Sequence, residues 1–260
     1  MTTSVPAGSA NPALLQSHRE SQGPAETGHS GLGARLIGVL HSPRQALEAV
    51  AATPRWASVM ALTFIVTVLA NAALFETEVG RLALVDQWER TAIAFGQGVD
   101  DATYAAMVEA SGNGAAFAVV SAVASGPVLA FAVSALLLAV FSGARRGRAT
   151  YRQLLAVTSH AGVILALRQV IAAPISYARE TVASPTTLNV FFSMLDEASP
   201  VARFFGIIDF FVIWWIIVLA VGMSVLYDRP ARTLAMTFIG AYIALALILA
   251  IVMAVTGGTA

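Results

Sequence analysis

Five apolar stretches, each long enough to cross a lipid bilayer, constrain what this chain can fold into. An α-helix rises about 1.5 Å per residue and the hydrocarbon core is about 30 Å thick, so roughly 20 apolar residues span it. A water-soluble domain needs helices that are apolar on one face only. The sequence therefore predicts an all-α integral membrane bundle of five transmembrane helices, with short interfacial and outer-loop helices. The predicted spans are Trp56–Phe75, Ala116–Phe141, Leu154–Ser176, Phe204–Tyr227 and Leu234–Val255.

Composition agrees with a membrane protein. The chain is 57% hydrophobic and 12% charged, which leaves too little polar surface for a soluble globule. Its net charge is zero, so we expect no nucleic-acid partner. The expected partners are the lipid bilayer and either another membrane protein or further copies of the chain. The basic residues are all arginine, and alanine is abundant, which favours a bacterial, GC-rich genome.

The sequence divides into three regions. Residues 1–32 are polar and lack an apolar run, which predicts a disordered cytoplasmic tail. Residues 33–55 form a predicted interfacial amphipathic segment, with a helix over Leu36–Ala52 and a helix-start signal at Ser42-Pro43. That helix either lies on the membrane surface or leads plainly into the first span. Residues 56–256 form the predicted five-helix transmembrane domain.

The arginine distribution predicts the orientation. Ten arginines precede the first span or lie in the second-to-third and fourth-to-fifth connections, whereas four lie in the other two connections. Short cytoplasmic segments carry the excess of basic residues. We therefore expect a bacterial cytoplasmic (inner) membrane protein with its N-terminus in the cytoplasm and its C-terminus outside.

Two outer connections have helical patterns. Glu76–Asn113 is predicted to be helical, with Asp100 capping a second short helix that ends at Gly112. Ser184–Glu197 is predicted to form a short amphipathic helix, and Ser199 to cap the entry to the fourth span. Together these segments would form a lid that either covers the span ends or binds a ligand.

Three ionisable residues fall within predicted spans: His160, Arg168 and Asp209. A charge at the bilayer centre costs about 2.5–3.5 kcal/mol on insertion scales, so each charged group needs a partner or a polar cavity. Arg168 and Asp209 fall at similar depth in spans three and four, which predicts an ion pair. The pair either clamps two helices or takes part in a proton or ion relay. His160 either bonds to a neighbouring helix or senses pH.

Small residues follow one face of the second span at every fourth position. Such a ridge lets helix backbones approach closely in lipid, either inside the bundle or between copies of the chain. Pro127 predicts a kink beside it. The ridge consists of Gly114, Ala118, Ala122, Gly126, Ala130 and Ser134.

No pattern of catalytic chemistry is present. The four histidines are scattered and the chain has no cysteine, so the sequence predicts no metal site. The residues around Ser125 read Val-Ala-Ser-Gly rather than the Gly-x-Ser-Gly of intramembrane serine proteases. Phosphate-binding glycine loops do not occur either. We expect no catalytic residues, no cofactor and no enzymatic activity.

Three stretches of this chain resemble the Yip-domain (Ypt-interacting protein) family, in its bacterial branch. The first is Leu36 to Arg44, which continues to Pro54-Arg55-Trp56. The second is Ser159 to Ile164, together with Leu167. The third is Leu188 to Glu197, followed by the segment from Arg203 to Trp215 that contains Asp209. The resemblance covers most of residues 36–255. It implies five spans and a cytoplasmic N-terminus. Eukaryotic relatives bind prenylated Rab-type GTPases and act in vesicle traffic. This chain lacks the cytoplasmic Asp-Leu-Tyr-Gly-Pro motif of those relatives and a Gly-Tyr pair in the spans, so the resemblance implies only a membrane-organising or partner-binding protein.

Two functions are therefore compatible with the sequence. The first is a non-enzymatic membrane protein that binds protein partners or organises membrane. The second is a small transporter or channel-like protein that uses Arg168, Asp209 and His160 in a polar path.

Overall fold

A computed structural model describes residues 32–142, 149–192, 194–195 and 199–256. The predicted tail before Leu32 and the basic residues Arg145, Arg146 and Arg148 lie outside the described residues. Five helices are long and apolar enough to cross a membrane, and the described residues contain no strand, which confirms the all-α prediction. These helices, the first to fifth spans, are Ala57–Phe75, Gly114–Phe141, Tyr151–Ala178, Phe210–Tyr227 and Ala231–Thr256.

The spans run alternately between two ends of the bundle. We call the end where the first span begins, at Ala57, the basal end, and the end where it finishes, at Phe75, the distal end. The arginine distribution predicts that the basal end is cytoplasmic. The largest cluster of buried apolar side chains lies around spans three and four, which are the most buried of the five.

Helix-capping chemistry explains why the third span begins before the predicted Leu154. Thr150 accepts a hydrogen bond from the backbone of Gln153, and the Gln153 side chain accepts one from the backbone of Thr150. This capping box satisfies two backbone donors of the first turn, so the polar residues before Leu154 join the helix.

Two short helices, α1 (Leu32–His41) and α2 (Pro43–Ala52), precede the first span. One helix was predicted over Leu36–Ala52. The break at Ser42 follows from Pro43, whose ring disfavours helical geometry in the preceding residue. The apolar face of α2 does not lie on the membrane surface: Leu47 and Val50 are buried, and α2 packs against spans three and four.

Side chains from the third span fix α2 to the basal end. The Gln153 amide donates to the backbone oxygen of Ala51 at 3.2 Å, and the Arg152 guanidinium donates to that of Pro54 at 3.2 Å. The two short helices are therefore part of the folded bundle rather than a separate leader.

The second span contains one irregular turn. Residues Ala124–Val128 form a π-helical turn around Pro127, between the regular segments Gly114–Val123 and Leu129–Phe141. Proline lacks the backbone donor that a regular turn needs, and π turns are frequent at functional sites. The predicted kink thus takes the form of a π turn.

Two helices lie in the connection Glu76–Asn113 at the distal end, as its pattern predicts. They are Glu78–Ala94, capped by Thr77, and Asp101–Ser111, capped by Asp100. Hydrogen bonds from Thr103 hold the pKa of the exposed Asp100 carboxyl below its ordinary value.

The second predicted outer helix is wrong where the structure describes it. The described part of Ser184–Glu197 has a short 3₁₀ turn, Leu188–Phe192, in place of an α-helix, and Ser193, Asp196 and Glu197 lie outside the described residues. Ser199 does cap the next helix, accepting a bond from the backbone of Ala202 at 3.1 Å, but that helix is the separate segment Pro200–Ile207.

The fourth span begins at Phe210 rather than at the predicted Phe204. Ile208 and Asp209 are extended and pair with the connection from the third span. The backbone of Leu188 donates to Ile208 at 2.9 Å, and that of Phe210 donates to Thr186 at 3.0 Å. This pairing satisfies backbone groups that the helix break would otherwise leave without partners.

Candidate functional site

The predicted ion pair between spans three and four is present. The Arg168 guanidinium Nε lies 2.9 Å from Asp209 Oδ2. The Asp209 side chain is 3% exposed and that of Arg168 is 30% exposed. Asp209 differs from the prediction in one respect: it is the residue before the first turn of the fourth span, not a residue within the helix.

Both oxygens of Asp209 carry several hydrogen bonds. Oδ1 accepts from the backbones of Phe211 at 2.8 Å and Val212 at 3.3 Å, which caps the helix. Oδ2 accepts from the hydroxyls of Thr186 at 2.6 Å and Ser184 at 3.1 Å, besides Arg168. A carboxylate bonded in this way is held in one orientation.

The fifth span contributes to the same cluster through Tyr242. Its hydroxyl accepts from the backbone of Asp209 at 3.1 Å and donates to the backbone oxygen of Ile207 at 2.5 Å. The cluster of Arg168, Ser184, Thr186, Asp209 and Tyr242 therefore joins spans three, four and five at the distal side. We call it the distal polar cluster.

His160 lies apart from that cluster. It is fully buried in the third span, and its Nδ1 lies 2.7 Å from the backbone oxygen of Ala156, one turn earlier in the same helix. Eight residues separate it from Arg168, which is about 12 Å along a helix. The structure thus brings Arg168 and Asp209 together and leaves His160 elsewhere.

The small-residue ridge packs against the protein's own helices. Gly114, Ala118 and Ala122 are buried, and this part of the second span lies along the first span. Ala130 and Ser134 are buried farther along, where the Ser134 hydroxyl contacts that of Thr158 in the third span at 3.1 Å. Gly126 is the exception: a Cβ atom there would meet no other atom within 4 Å.

A second polar network, which sequence reasoning missed, joins the first three spans. The Asn71 side-chain nitrogen donates to the Ser121 hydroxyl at 2.9 Å, and the Gln169 side-chain nitrogen donates to Asn71 Oδ1. Single amides within apolar stretches are the signal that could have found it, since a buried amide needs a partner.

Between these networks and the basal end lies a cavity of about 160 Å³. Residues of the first four spans line it, and several of them are polar. The polar lining consists of Thr63, Thr67, Ser125, Thr158, Ser159, Arg168, Gln169 and Trp215. Sequence reasoning did not find this cavity. Within the described residues, no group of three histidine, aspartate or glutamate residues could hold a metal ion.

These features define a class: a polytopic helical membrane protein with polar networks between its spans and a mid-bundle cavity. The Yip1 domain matches residues 37–253, so the chain belongs to the Yip1 domain family, as its resemblance implied. No curated protein and no solved structure matches the chain.

Proposed function

We propose that this chain is a non-enzymatic protein of the bacterial inner membrane that binds protein partners, or organises membrane. The surface that does so is the exposed side of α1 and α2 at the basal end. The observation that carries the proposal is the docking of α1 and α2 onto the bundle. Val39 and Leu47 are 0% exposed and Val50 is 3% exposed, so these apolar side chains pack inside the bundle.

The exposed side of α2 and of its junction with α1 carries polar residues. His41, Arg44, Gln45 and Glu48 are exposed, and Arg44 Nε lies 3.0 Å from Glu48 Oε1. Surface charges set partner choice and orientation more than affinity. An exposed polar surface at the predicted cytoplasmic end suits a partner that approaches from the cytoplasm. We call this surface the basal face.

The second candidate function is a small transporter or channel, and the cavity favours it. A transporter needs polar residues from several spans at one depth, and the cavity supplies them beside Arg168. Two features favour the partner-binding or membrane-organising protein instead. Asp209 has both oxygens occupied by neighbours, and the residues lining the cavity include Ser159 but not His160.

A photo-crosslinking amino acid at Gln45 tests the basal face. In native membranes we expect an adduct of one defined mass from position 45 and none from the exposed distal residue Gln97, its matched control. A charge reversal of the pair, Arg44→Glu with Glu48→Arg, should abolish the adduct while the bundle stays folded. An adduct of twice the chain's mass would identify a second copy as the partner.

Equal, heterogeneous labelling from Gln45 and Gln97 would contradict the proposal. So would proton flux in proteoliposomes that folded Asp209→Asn protein no longer shows, because that result belongs to the transporter. We expect no flux under any gradient.

A further inference from the structure

A second cavity, of about 410 Å³, lies at the distal end of the bundle. It lies between the distal helix Glu78–Ala94, the short helix Pro200–Ile207 and the last turn of the fifth span. Arg90 and Arg203 line it, as do apolar side chains of the short helix and of the fifth span. The lining therefore combines positive charge with apolar surface, which suits an amphiphilic ligand. We call it the distal cavity.

The distal cavity runs from the membrane surface toward the hydrocarbon core. Met253 in its lining lies three residues before the end of the fifth span at Thr256, which is about 4.5 Å along the helix. Ile207, also in the lining, accepts a hydrogen bond at its backbone oxygen from Tyr242, which lies eleven residues deeper in the same span, or about 16 Å. The guanidinium of Arg203 contacts the backbone of Met253, so the basic end of the cavity is the end at the membrane surface.

Arg203 carries a charge that no acidic group of the described chain compensates. It is half-buried, and its guanidinium donates to the backbone oxygen of Met253. None of the ion pairs among the described residues includes it. A helix C-terminus attracts a cation but supplies only a partial charge, and a guanidinium has five N–H donors. A cation beside lipid is costly without a counter-charge, so this position favours an anion from the ligand.

A neighbouring cavity adds a second arginine. This cavity, of about 270 Å³, shares Arg90 and Asn189 with the distal cavity and is also lined by Arg179. Arg90 is paired with Asp86 at 3.0 Å, whereas Arg179 is exposed and belongs to no ion pair between described residues. Of the described residues that line either cavity, none is acidic. A headgroup with a positive ammonium would meet only arginines there, so an anionic headgroup fits better.

Phosphate is the anion that these features favour, because the fork of an arginine binds two phosphate oxygens at once. Gly206 also lines the distal cavity, and a Cβ atom there would meet no atom within 4 Å, which leaves room for a lipid chain. We propose that the distal cavity binds one anionic phospholipid of the distal leaflet. Its phosphate lies at Arg203, its headgroup extends toward Arg179, and one acyl chain passes Gly206 and Ile207. This site is separate from the basal face and goes beyond the function proposed for that face.

Native mass spectrometry of the full chain counts and identifies the lipids that it retains. The protein, stripped of lipid in detergent, is titrated with dioleoylphosphatidylglycerol, which is anionic, and with dioleoylphosphatidylcholine, which has the same chains and phosphate but adds an ammonium. We expect one retained phosphatidylglycerol, bound at least about fivefold more tightly than phosphatidylcholine, which is the effect of one exposed charge pair. Inorganic phosphate, which lacks the chains, and dioleoylglycerol, which lacks the phosphate, should not displace it.

Matched variants separate the headgroup from the chain. Arg203→Gln removes the charge but keeps an amide that can donate to Met253, and it should weaken phosphatidylglycerol binding about tenfold, the effect of one charge-assisted hydrogen bond. Arg232→Gln makes the same change at an exposed arginine of the basal end and should leave binding unchanged. Gly206→Leu blocks the path of the chain and should weaken binding of both lipids about tenfold. Gly240→Leu, at an exposed glycine of the fifth span with equal space, is its control.

Four results would overturn the proposal: equal retention of the two phospholipids, displacement by inorganic phosphate or by dioleoylglycerol, binding unchanged in Arg203→Gln, or binding unchanged in Gly206→Leu. Circular dichroism checks that the variants are folded, and Arg203→Lys, which keeps the charge, should bind more tightly than Arg203→Gln. None of these results affects the cross-link expected from Gln45, so the two proposals fail separately.

Discussion

Replacing Asp209 by alanine should destabilise the folded protein by about 3 kcal/mol, the low end of the range for breaking a buried ion pair. The low end applies because Arg168 remains 30% exposed and can be partly solvated. The change also uncaps the fourth span and removes the acceptor of two hydroxyls. Unfolding of the purified protein in mixed micelles, followed by circular dichroism, measures the loss.

A second variant separates the ion pair from the helix cap. Arg168→Leu combined with Asp209→Ser removes the unpaired cation and keeps a side-chain oxygen at the cap position. It should recover part of the stability that Asp209→Ala loses. Glu48→Ala is the matched control: the Arg44–Glu48 pair is exposed, and its loss should change stability by no more than about 0.5 kcal/mol. An Asp209→Ala protein as stable as the parent would show that the distal polar cluster does not hold the spans together.

Gly114→Ala should destabilise the protein by about 1–3 kcal/mol, although alanine is normally the better helix former. A Cβ atom at Gly114 would lie 2.3 Å from the backbone oxygen of Phe75, and backbone atoms of a packed helix cannot move aside cheaply. Gly240→Ala is the control, since nothing lies within 4 Å there, and it should be neutral or stabilising by up to about 1 kcal/mol.

The same pair of variants distinguishes the two roles of the small-residue ridge. If the ridge served self-association, Gly114→Ala would lower the mass of the particle in detergent and leave the stability of the chain unchanged. We expect the opposite result, because Gly114, Ala118 and Ala122 already pack against the first span.

The five spans could be predicted because each one is determined by the length and hydropathy of its own stretch of residues. The start of the fourth span could not. Apolar residues lie on both sides of Asp209 from Phe204 to Trp215, and the break at Ile208 depends on pairing with Thr186 and Leu188, which are distant in sequence. The apolar face of α2 was visible in Leu47 and Val50, but the pattern did not show that spans three and four, rather than lipid, would cover it.

The site could be predicted only in part. Arg168 and Asp209 were identifiable because two opposite charges in apolar stretches need each other. The cavity depends on how far the first two spans separate beyond the π turn, and Pro127 alone indicates a bend without its direction. Nothing in the sequence marks Ser159 and Trp215 as residues that line it.

Single-cysteine labelling tests the five-crossing bundle most directly, since the chain has no cysteine of its own. Gln45→Cys marks the basal end and Thr256→Cys the distal end, where the fifth span finishes. On intact cells an impermeant maleimide should label position 256 at once, and position 45 only after the membrane is opened. Labelling of both positions from the same side would contradict the bundle and the orientation together.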